Sequence, residues 1–218
     1  MINREIIIIG AGPAGMAAAV KMNELGFRDV LILEKEDSPG GVLRQCIHPG
    51  FGLIRFGKNL TGPEYSQEYE RRLKESAAEV QYETTVLGIR EGESGRVCIT
   101  AAGPEGTEEY RCDAAILASG CREKSRGELM IPGDRPAGIY TAGTAQGMMN
   151  LLNARIGEKI VIIGSGDIGD PGSRHERLLC RARVYRSWGA LLGSIREGNH
   201  SGTHPRSQQI SCDQQHYQ

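Results

Sequence analysis

One stretch near the start of the chain predicts the fold, namely Glu5-Ile6-Ile7-Ile8-Ile9-Gly10-Ala11-Gly12-Pro13-Ala14-Gly15. An unbroken run of branched apolar residues is typical of a strand that is buried on both faces of a parallel sheet. The glycine spacing G-x-G-x-x-G follows that strand, and an alanine-rich segment that extends to Leu25 follows the glycines. The pattern therefore predicts a strand, a tight turn and a helix.

A second buried strand completes the unit. Gly26 lies where the predicted helix should be capped, and the apolar run from Asp29 to Leu33 then ends at Glu34. The first 34 residues are thus predicted to form one βαβ unit.

Each polar or glycine position of this unit has a physical role in dinucleotide binding. Gly10 permits the tight turn, Gly12 lets a pyrophosphate approach the backbone, and Gly15 lets the helix pack closely on the strand. Glu34 lies nineteen residues after Gly15 and can accept hydrogen bonds from both ribose hydroxyls of an adenosine. A 2′-phosphate would be repelled there, so the pattern predicts a dinucleotide with an unphosphorylated adenosine ribose.

The rest of the chain alternates between helical and strand patterns. Thr61-Gly62-Pro63-Glu64 should start a polar helix that ends near Ala78. Short alternating runs then predict an antiparallel meander, with strands at Val80–Thr85, Arg96–Ala101 and Glu109–Cys112. Later segments predict a buried strand, a helix and another buried strand at Ala114–Ala118, Thr144–Ala154 and Lys159–Ile163.

Composition excludes several classes of protein. The 218 residues carry 26 Lys plus Arg and 27 Asp plus Glu, so the net charge gives no reason to expect a nucleic acid or an anionic membrane as partner. The opening apolar run is too short for a signal sequence or a membrane span, which predicts a cytoplasmic protein. Six dispersed cysteines without a C-x-x-C pair predict free thiols and no metal site.

The last part of the chain has a different composition. Residues 170–218 contain seven Arg but no Lys, and they hold four of the five His. Residues 199–218 have too little apolar surface to offset the entropy of ordering, so we expect disorder there. The abrupt change leads to the hypothesis of a reading-frame change near codon 170.

Further motifs carry a family resemblance. Glu34 is followed by Gly40-Gly41, the run Ala114–Ala118 is followed by Ser119-Gly120, and a second glycine motif spans Gly164–Gly169. With these features, residues 1 to about 169 resemble the FAD-dependent pyridine nucleotide oxidoreductases that have two dinucleotide-binding domains. The runs Gly40–Gly52, Leu60–Tyr65 and Arg135–Gln146 are similar to a branch of amine and opine oxidase subunits and flavoproteins of glycerol 3-phosphate oxidation.

The resemblance implies an α/β architecture. Residues 1–157 would be a Rossmann-like FAD-binding domain with a small antiparallel β meander. Residues 158–198 would be the truncated start of a second Rossmann-like domain, and 199–218 a disordered tail. In this second domain Pro171 and Gly172 disturb the expected helix and Trp188 replaces the expected acid. The NAD(P)H site would therefore be incomplete, and we expect no tight NADH binding.

The resemblance also assigns cofactor-binding residues. The pyrophosphate of FAD would lie against a group of turn residues, namely Gly10, Gly12, Pro13, Ala14 and Gly15. Other residues would follow the same groove, with Glu34 at the ribose, Lys35 and Gly41 beside it, Val86 at the adenine, and Ala118, Ser119 and Gly120 near the cofactor.

No catalytic side chain follows from these motifs. Family members that reduce disulfides have two cysteines four residues apart after the glycine pair, whereas this loop has only Cys46. A flavin-to-dithiol relay is therefore not expected. Cys46 is interpreted as a packed thiol, and His48 as a loop histidine that bonds to structure or water.

The implied function is an FAD-dependent oxidoreductase that passes hydride or electrons between a reduced substrate or NAD(P)H and the flavin. Its partners would be a small-molecule substrate and a partner oxidoreductase subunit. Two alternatives stay open: a non-catalytic dinucleotide-binding fragment or assembly module, and a single-domain NAD-dependent dehydrogenase.

Overall fold

The computed structural model describes residues 1–163 and the backbone of residues 182–185. It divides into two compact units, Met1–Arg122 and Glu123–Gln218. The domain limits expected from the sequence remain predictions.

The first unit contains eight strands and three α-helices. In chain order they are β1 (Ile2–Ile9), α1 (Pro13–Glu24), β2 (Val30–Leu33), β3 (Pro49–Phe51), α2 (Leu53–Phe56), β4 (Leu60–Thr61), α3 (Gly62–Lys74), β5 (Glu79–Gln81), β6 (Thr85–Glu91), β7 (Val97–Gly103) and β8 (Gly106–Leu117). Two short 3-10 helices lie at Gly41–Gln45 and Glu93–Gly95.

Six of these strands form one mixed sheet in the order β5-β2-β1-β8-β7-β6. The strands β5, β2, β1 and β8 are parallel, while β7 is antiparallel to both of its neighbours, β8 and β6. The long strand β8 joins the two parts, since it pairs with β7 through Cys112 and with β1 through Leu117. The predicted α/β fold with a meander is confirmed.

The sheet has a hydrophobic cluster on each face, which explains the unbroken apolar run of β1. Ile6 and Ile8 pack with residues of α1 and α3 in one cluster. Ile7 instead packs with β2 and with residues of the meander strands in the other. Because both faces are covered, every residue from Ile6 to Ile8 is buried.

The helix ends follow local capping chemistry. Gly26 has φ +99° and its N–H bonds to the carbonyl of Asn23, as the predicted cap of α1 requires. The helix α3 ends at Lys74, four residues before the predicted end at Ala78. Ser76 accounts for the difference, because its hydroxyl donates to the carbonyl of Leu73 at 2.6 Å and accepts from the N–H of Ala78 at 3.2 Å.

Two strand predictions are wrong in detail. The run Val80–Thr85 is not one meander strand, because Val80 belongs to β5, which is parallel to β2, and Thr85 begins β6. The connection is held by the residue after β2, since the N–H of Thr84 donates to the carbonyl of Glu34 at 2.8 Å. The second wrong prediction is the burial of the run Ala114–Ala118, which is only partly buried. Leu117 is 68% exposed. The reason is that β7 pairs with β8 only as far as Cys112, and no other described strand pairs with that side of β8 beyond this residue.

The second unit contains α4 (Ala142–Leu152), β9 (Ile160–Ile163) and β10 (Ala182–Tyr185). The helix α4 and the strand β9 match the predicted elements within two residues. The strand β10 was not predicted, and it is parallel to β9 with Ala182 opposite Ile160. Several predicted features lie outside the described residues, namely the second glycine motif, Pro171, Gly172, Trp188 and the tail at 199–218.

Within the described part of the chain, none of the helices has the length and apolar character that a membrane span requires.

The N-terminus of α3 provides a test of the fold. Thr61 and Glu64 form a capping box there, in which each side chain accepts a hydrogen bond from the other residue's backbone N–H. We predict that Thr61→Ala lowers the free energy of unfolding by about 1 kcal/mol, measured by urea denaturation. Thr61→Ser keeps the hydroxyl and should retain nearly all of the stability; an equal loss in both variants would contradict the capping role.

Candidate functional site

The glycine turn is packed too closely for side chains. A Cβ placed on Gly15 would lie 1.8 Å from the carbonyl oxygen of Gly10. A Cβ on Gly10, whose φ is +104°, would lie 2.6 Å from the carbonyl oxygen of Ala118. The turn, the helix α1 and the end of β8 therefore meet at one point that only glycine permits.

Gly12 differs from its two neighbours. It has φ −69°, and a Cβ there would meet no described atom within 4 Å. Gly12 is the N-cap of α1, Pro13 occupies the first helical position, and the first turn contains no acidic residue. No described group accepts a hydrogen bond from the N–H of Ala14 or Gly15. An open space thus lies beside an uncapped helix N-terminus, which favours an anion.

The carboxylate of Glu34 lies beneath this turn. Glu34 is only 5% exposed, and it follows β2 directly. Its Oε2 accepts the N–H of Ala11 at 2.5 Å, and its Oε1 accepts the N–H of Glu36 at 2.9 Å. The side chain therefore braces the glycine turn, a role that the sequence did not predict. A carboxylate has about four acceptor positions, so acceptor capacity remains for a ligand.

The glycine pair after β2 lies against the same turn. The N–H of Gly40 donates to the carbonyl of Ala11 at 2.9 Å. A Cβ on Gly41 would lie 3.3 Å from the Cα of Gly12, and one on Gly40 would lie 2.4 Å from the Oγ of Ser66. The predicted neighbour Lys35 is exposed, and its ammonium lies 3.0 Å from the carboxylate of Glu36.

Of the three predicted residues after β8, Ala118 and Ser119 lie against the glycine turn, whereas no contact with the turn is seen for Gly120. Ala118 donates its N–H to the carbonyl of Ile9 at 2.9 Å. The Cα of Ser119 lies 3.5 Å from the position of a Cβ on Gly10. Gly120 has φ +69° and is exposed.

The half-buried Val86 packs against the hydrophobic cluster around Ile7, and its contact with adenine remains a prediction.

Cys46 and His48 have structural partners. The thiol of Cys46 donates to the carbonyl of Val42 at 3.3 Å, and burial raises the pKa of that thiol. The Nδ1 of His48 lies 3.1 Å from the carbonyl oxygen of Pro49, and its ring lies 5.3 Å from the ring of Phe51. The residues that the structure describes contain no group of three or more side chains able to hold a metal ion.

An aromatic cluster, which the sequence did not predict, holds the segment between β3 and α3. The rings of Phe56, Tyr65 and Tyr69 lie 5.1–5.4 Å apart. The guanidinium of Arg72 lies 4.5 Å from the centre of the Phe56 ring. The spacing of Tyr65, Tyr69 and Leu73 was the available signal, since it places all three on one face of α3.

The contrast between two glycines gives a prediction about stability. Gly15→Ala should lower the free energy of unfolding by about 1–3 kcal/mol, because its Cβ would overlap backbone atoms. Gly12→Ala should change stability by less than about 1 kcal/mol, because alanine fits the local φ and restricts the unfolded chain, which offsets the preference of an N-cap for glycine over alanine. Thermal unfolding of both variants measures this; equal destabilisation would contradict the open space beside Gly12.

The environment of Cys46 gives a second prediction. Only the thiolate is alkylated, and a raised pKa leaves less thiolate at a given pH. At pH 8 Cys46 should therefore react with iodoacetamide several-fold more slowly than the exposed Cys121. Site-resolved mass spectrometry measures both rates in one sample, and faster reaction at Cys46 would show an activated thiol.

Comparisons with known proteins agree with this geometry. One subunit of the opine oxidase of Agrobacterium tumefaciens (strain Ach5) is 31% identical over 75% of this chain and 32% of its own length. The alpha subunit of sarcosine oxidase from Corynebacterium sp. (strain P-1) is 28% identical over 78% of this chain and 18% of its own. The structure of L-proline dehydrogenase from P. horikoshii has the same fold, with a TM-score of 0.69, 18% identity, and coverage of 85% of this chain and 36% of that one.

The chain thus spans about a third or less of the length of these relatives. The family model described as "Pyridine nucleotide-disulphide oxidoreductase" matches residues 4–170. Its end agrees with the limit of the resemblance predicted from the sequence, and the predicted likeness to opine and amine oxidase subunits is confirmed. The chain belongs to the pyridine nucleotide-disulphide oxidoreductase family.

Proposed function

We propose that this chain binds FAD and forms the FAD-binding part of an oxidoreductase. The enzyme would transfer hydride or electrons between a reduced small-molecule substrate or NAD(P)H and the flavin. The observation that carries the proposal is the open space beside Gly12, at the uncapped N-terminus of α1, with Glu34 directly beneath it.

The residues present fit the adenosine diphosphate half of FAD. The N–H groups of Ala14 and Gly15 would bind the pyrophosphate, and the positive end of the α1 dipole adds to the attraction. Gly41 lies close to Gly12 across the groove, so a side chain at either position would occupy the space that the phosphates need. Glu34 would accept the ribose hydroxyls with its remaining acceptor capacity.

When bound, FAD would supply the hydride and electron transfer, and the chain would supply position and electrostatics. The backbone contacts of Glu34 hold the turn in place before any ligand binds. Cys46 takes no part in this proposal, because its thiol is bonded to a carbonyl and its pKa is raised.

We further infer a partner oxidoreductase subunit. Two relatives are subunits by name, and this chain spans only a minor part of their length. The described cysteines are Cys46, Cys98, Cys112 and Cys121, and all four are free, which supports a cytoplasmic location.

The proposal predicts a specific pattern of FAD affinities. Gly12→Val should abolish measurable FAD binding, because the branched side chain would occupy the phosphate space. Glu34→Ala should weaken binding by about 1–3 kcal/mol, the scale of a hydrogen bond to a charged group. Isothermal titration calorimetry measures both effects.

Glu36→Ala is the matched control, because Glu36 is an exposed carboxylate two residues away and should leave affinity within twofold of the wild type. A purified chain that binds no FAD would contradict the proposal. A colourless chain that binds NAD would instead support the single-domain dehydrogenase.

A further inference from the structure

Tyr82 lies at the same end of the parallel strands as the candidate site. It follows β5 directly, at the carboxyl end of the parallel strands. Backbone hydrogen bonds on both sides hold it beside the end of β2. The N–H of Glu34 donates to the carbonyl of Gln81 at 2.9 Å, and the N–H of Glu83 donates to the carbonyl of Glu36 at 3.0 Å. The backbone of Tyr82 is thus fixed next to Glu34.

The side-chain alternation of β5 assigns the side chain of Tyr82 to the helix side of the sheet. Along β5, Val80 packs in the cluster with α1 and α3, whereas the side chain of Gln81 bonds to Tyr110 and Glu108 of the meander. Tyr82 is the next residue after β5 and two residues from Val80, so continued alternation would direct its ring toward the side of α3.

The electrostatics of Tyr82 agree with this placement. Burial, with the charges of Glu70 on α3 and of Glu34, raises the pKa of the Tyr82 phenol. The phenol therefore stays protonated at neutral pH.

Core packing does not explain this aromatic residue. Tyr82 is half-buried, but it belongs to neither hydrophobic cluster of the described chain. Its backbone carbonyl accepts from the hydroxyl of Thr84 at 2.9 Å, yet no described residue forms a hydrogen bond with its own hydroxyl. Tyr82 is thus a half-buried aromatic residue without a core or hydrogen-bonding role for its side chain, and its backbone is held next to the proposed ribose acceptor, Glu34.

From this placement, we propose that Tyr82 forms a wall of the adenosine pocket and contacts the adenosine of the bound dinucleotide. The inference rests on the proposed FAD function and adds a residue to that site. Ligands of open α/β sheets bind in the crevice outside the carboxyl ends of the strands, which is where Tyr82 lies. An aromatic ring there gives the adenosine a flat apolar surface, while Glu34 provides the polar contact.

The test uses AMP, the adenosine half of FAD, together with FAD itself. Tyr82→Leu keeps apolar bulk but removes the ring, and it should weaken AMP and FAD binding about tenfold by calorimetry, the order expected for a lost base–aromatic contact. Tyr82→Phe keeps the ring and should remain within about twofold of the wild type. Both variants should unfold within about 2 °C of the wild type, since the ring is outside the core clusters.

Phe27→Leu is the matched control, because it removes a partly exposed ring just before β2. Phe27 lies at the amino end of the parallel strands, whereas Tyr82 lies at their carboxyl end. It should leave AMP affinity unchanged. Wild-type affinity in Tyr82→Leu would overturn the assignment of Tyr82 and leave the proposed function standing. A wild-type chain that binds neither AMP nor FAD would overturn both.

Discussion

The site depends on the close contact between backbone atoms at Gly10, Gly15 and Ala118. A side chain at Gly15 would overlap the carbonyl of Gly10, and one at Gly10 would overlap the carbonyl of Ala118. This contact brings the start of α1 and the ends of β1 and β8 to one point of the sheet edge. The helix N-terminus consequently faces the space beside Gly12, and Glu34 can reach the N–H of Ala11 from below. The local geometry follows from glycine at two positions.

Most of this arrangement could be predicted from the sequence, because the pattern is local. The apolar run before Gly10, the spacing of the three glycines and the acid after the second strand together specify one βαβ unit. The end of α1 at Gly26 was also predictable, since a positive φ at that position has a known preference. These features depend on neighbours in sequence, which is why they could be identified without the structure.

The remaining features depend on contacts between distant segments. Nothing near Val80 indicates that it pairs with β2, or that the strand breaks before Thr85; the hydrogen bond from Thr84 to the carbonyl of Glu34 determines the break. The exposure of Leu117 depends on where β7 stops. The bracing role of Glu34 and the placement of Tyr82 likewise arise from tertiary structure. The strand β10 had no signal in the apolar pattern, and only its pairing with β9 identifies it.

Binding of FAD at the N-terminus of α1 can be measured directly by titrating the ¹⁵N-labelled chain with FAD and recording amide NMR spectra. We predict that the amide resonances of Ala14 and Gly15 shift most, because their N–H groups would bind the pyrophosphate at the N-terminus of α1. The amide of Gly26, at the other end of the same helix, should not shift. FAD binding that leaves the resonances of Ala14 and Gly15 unchanged, or no binding at all, would exclude this site for the pyrophosphate.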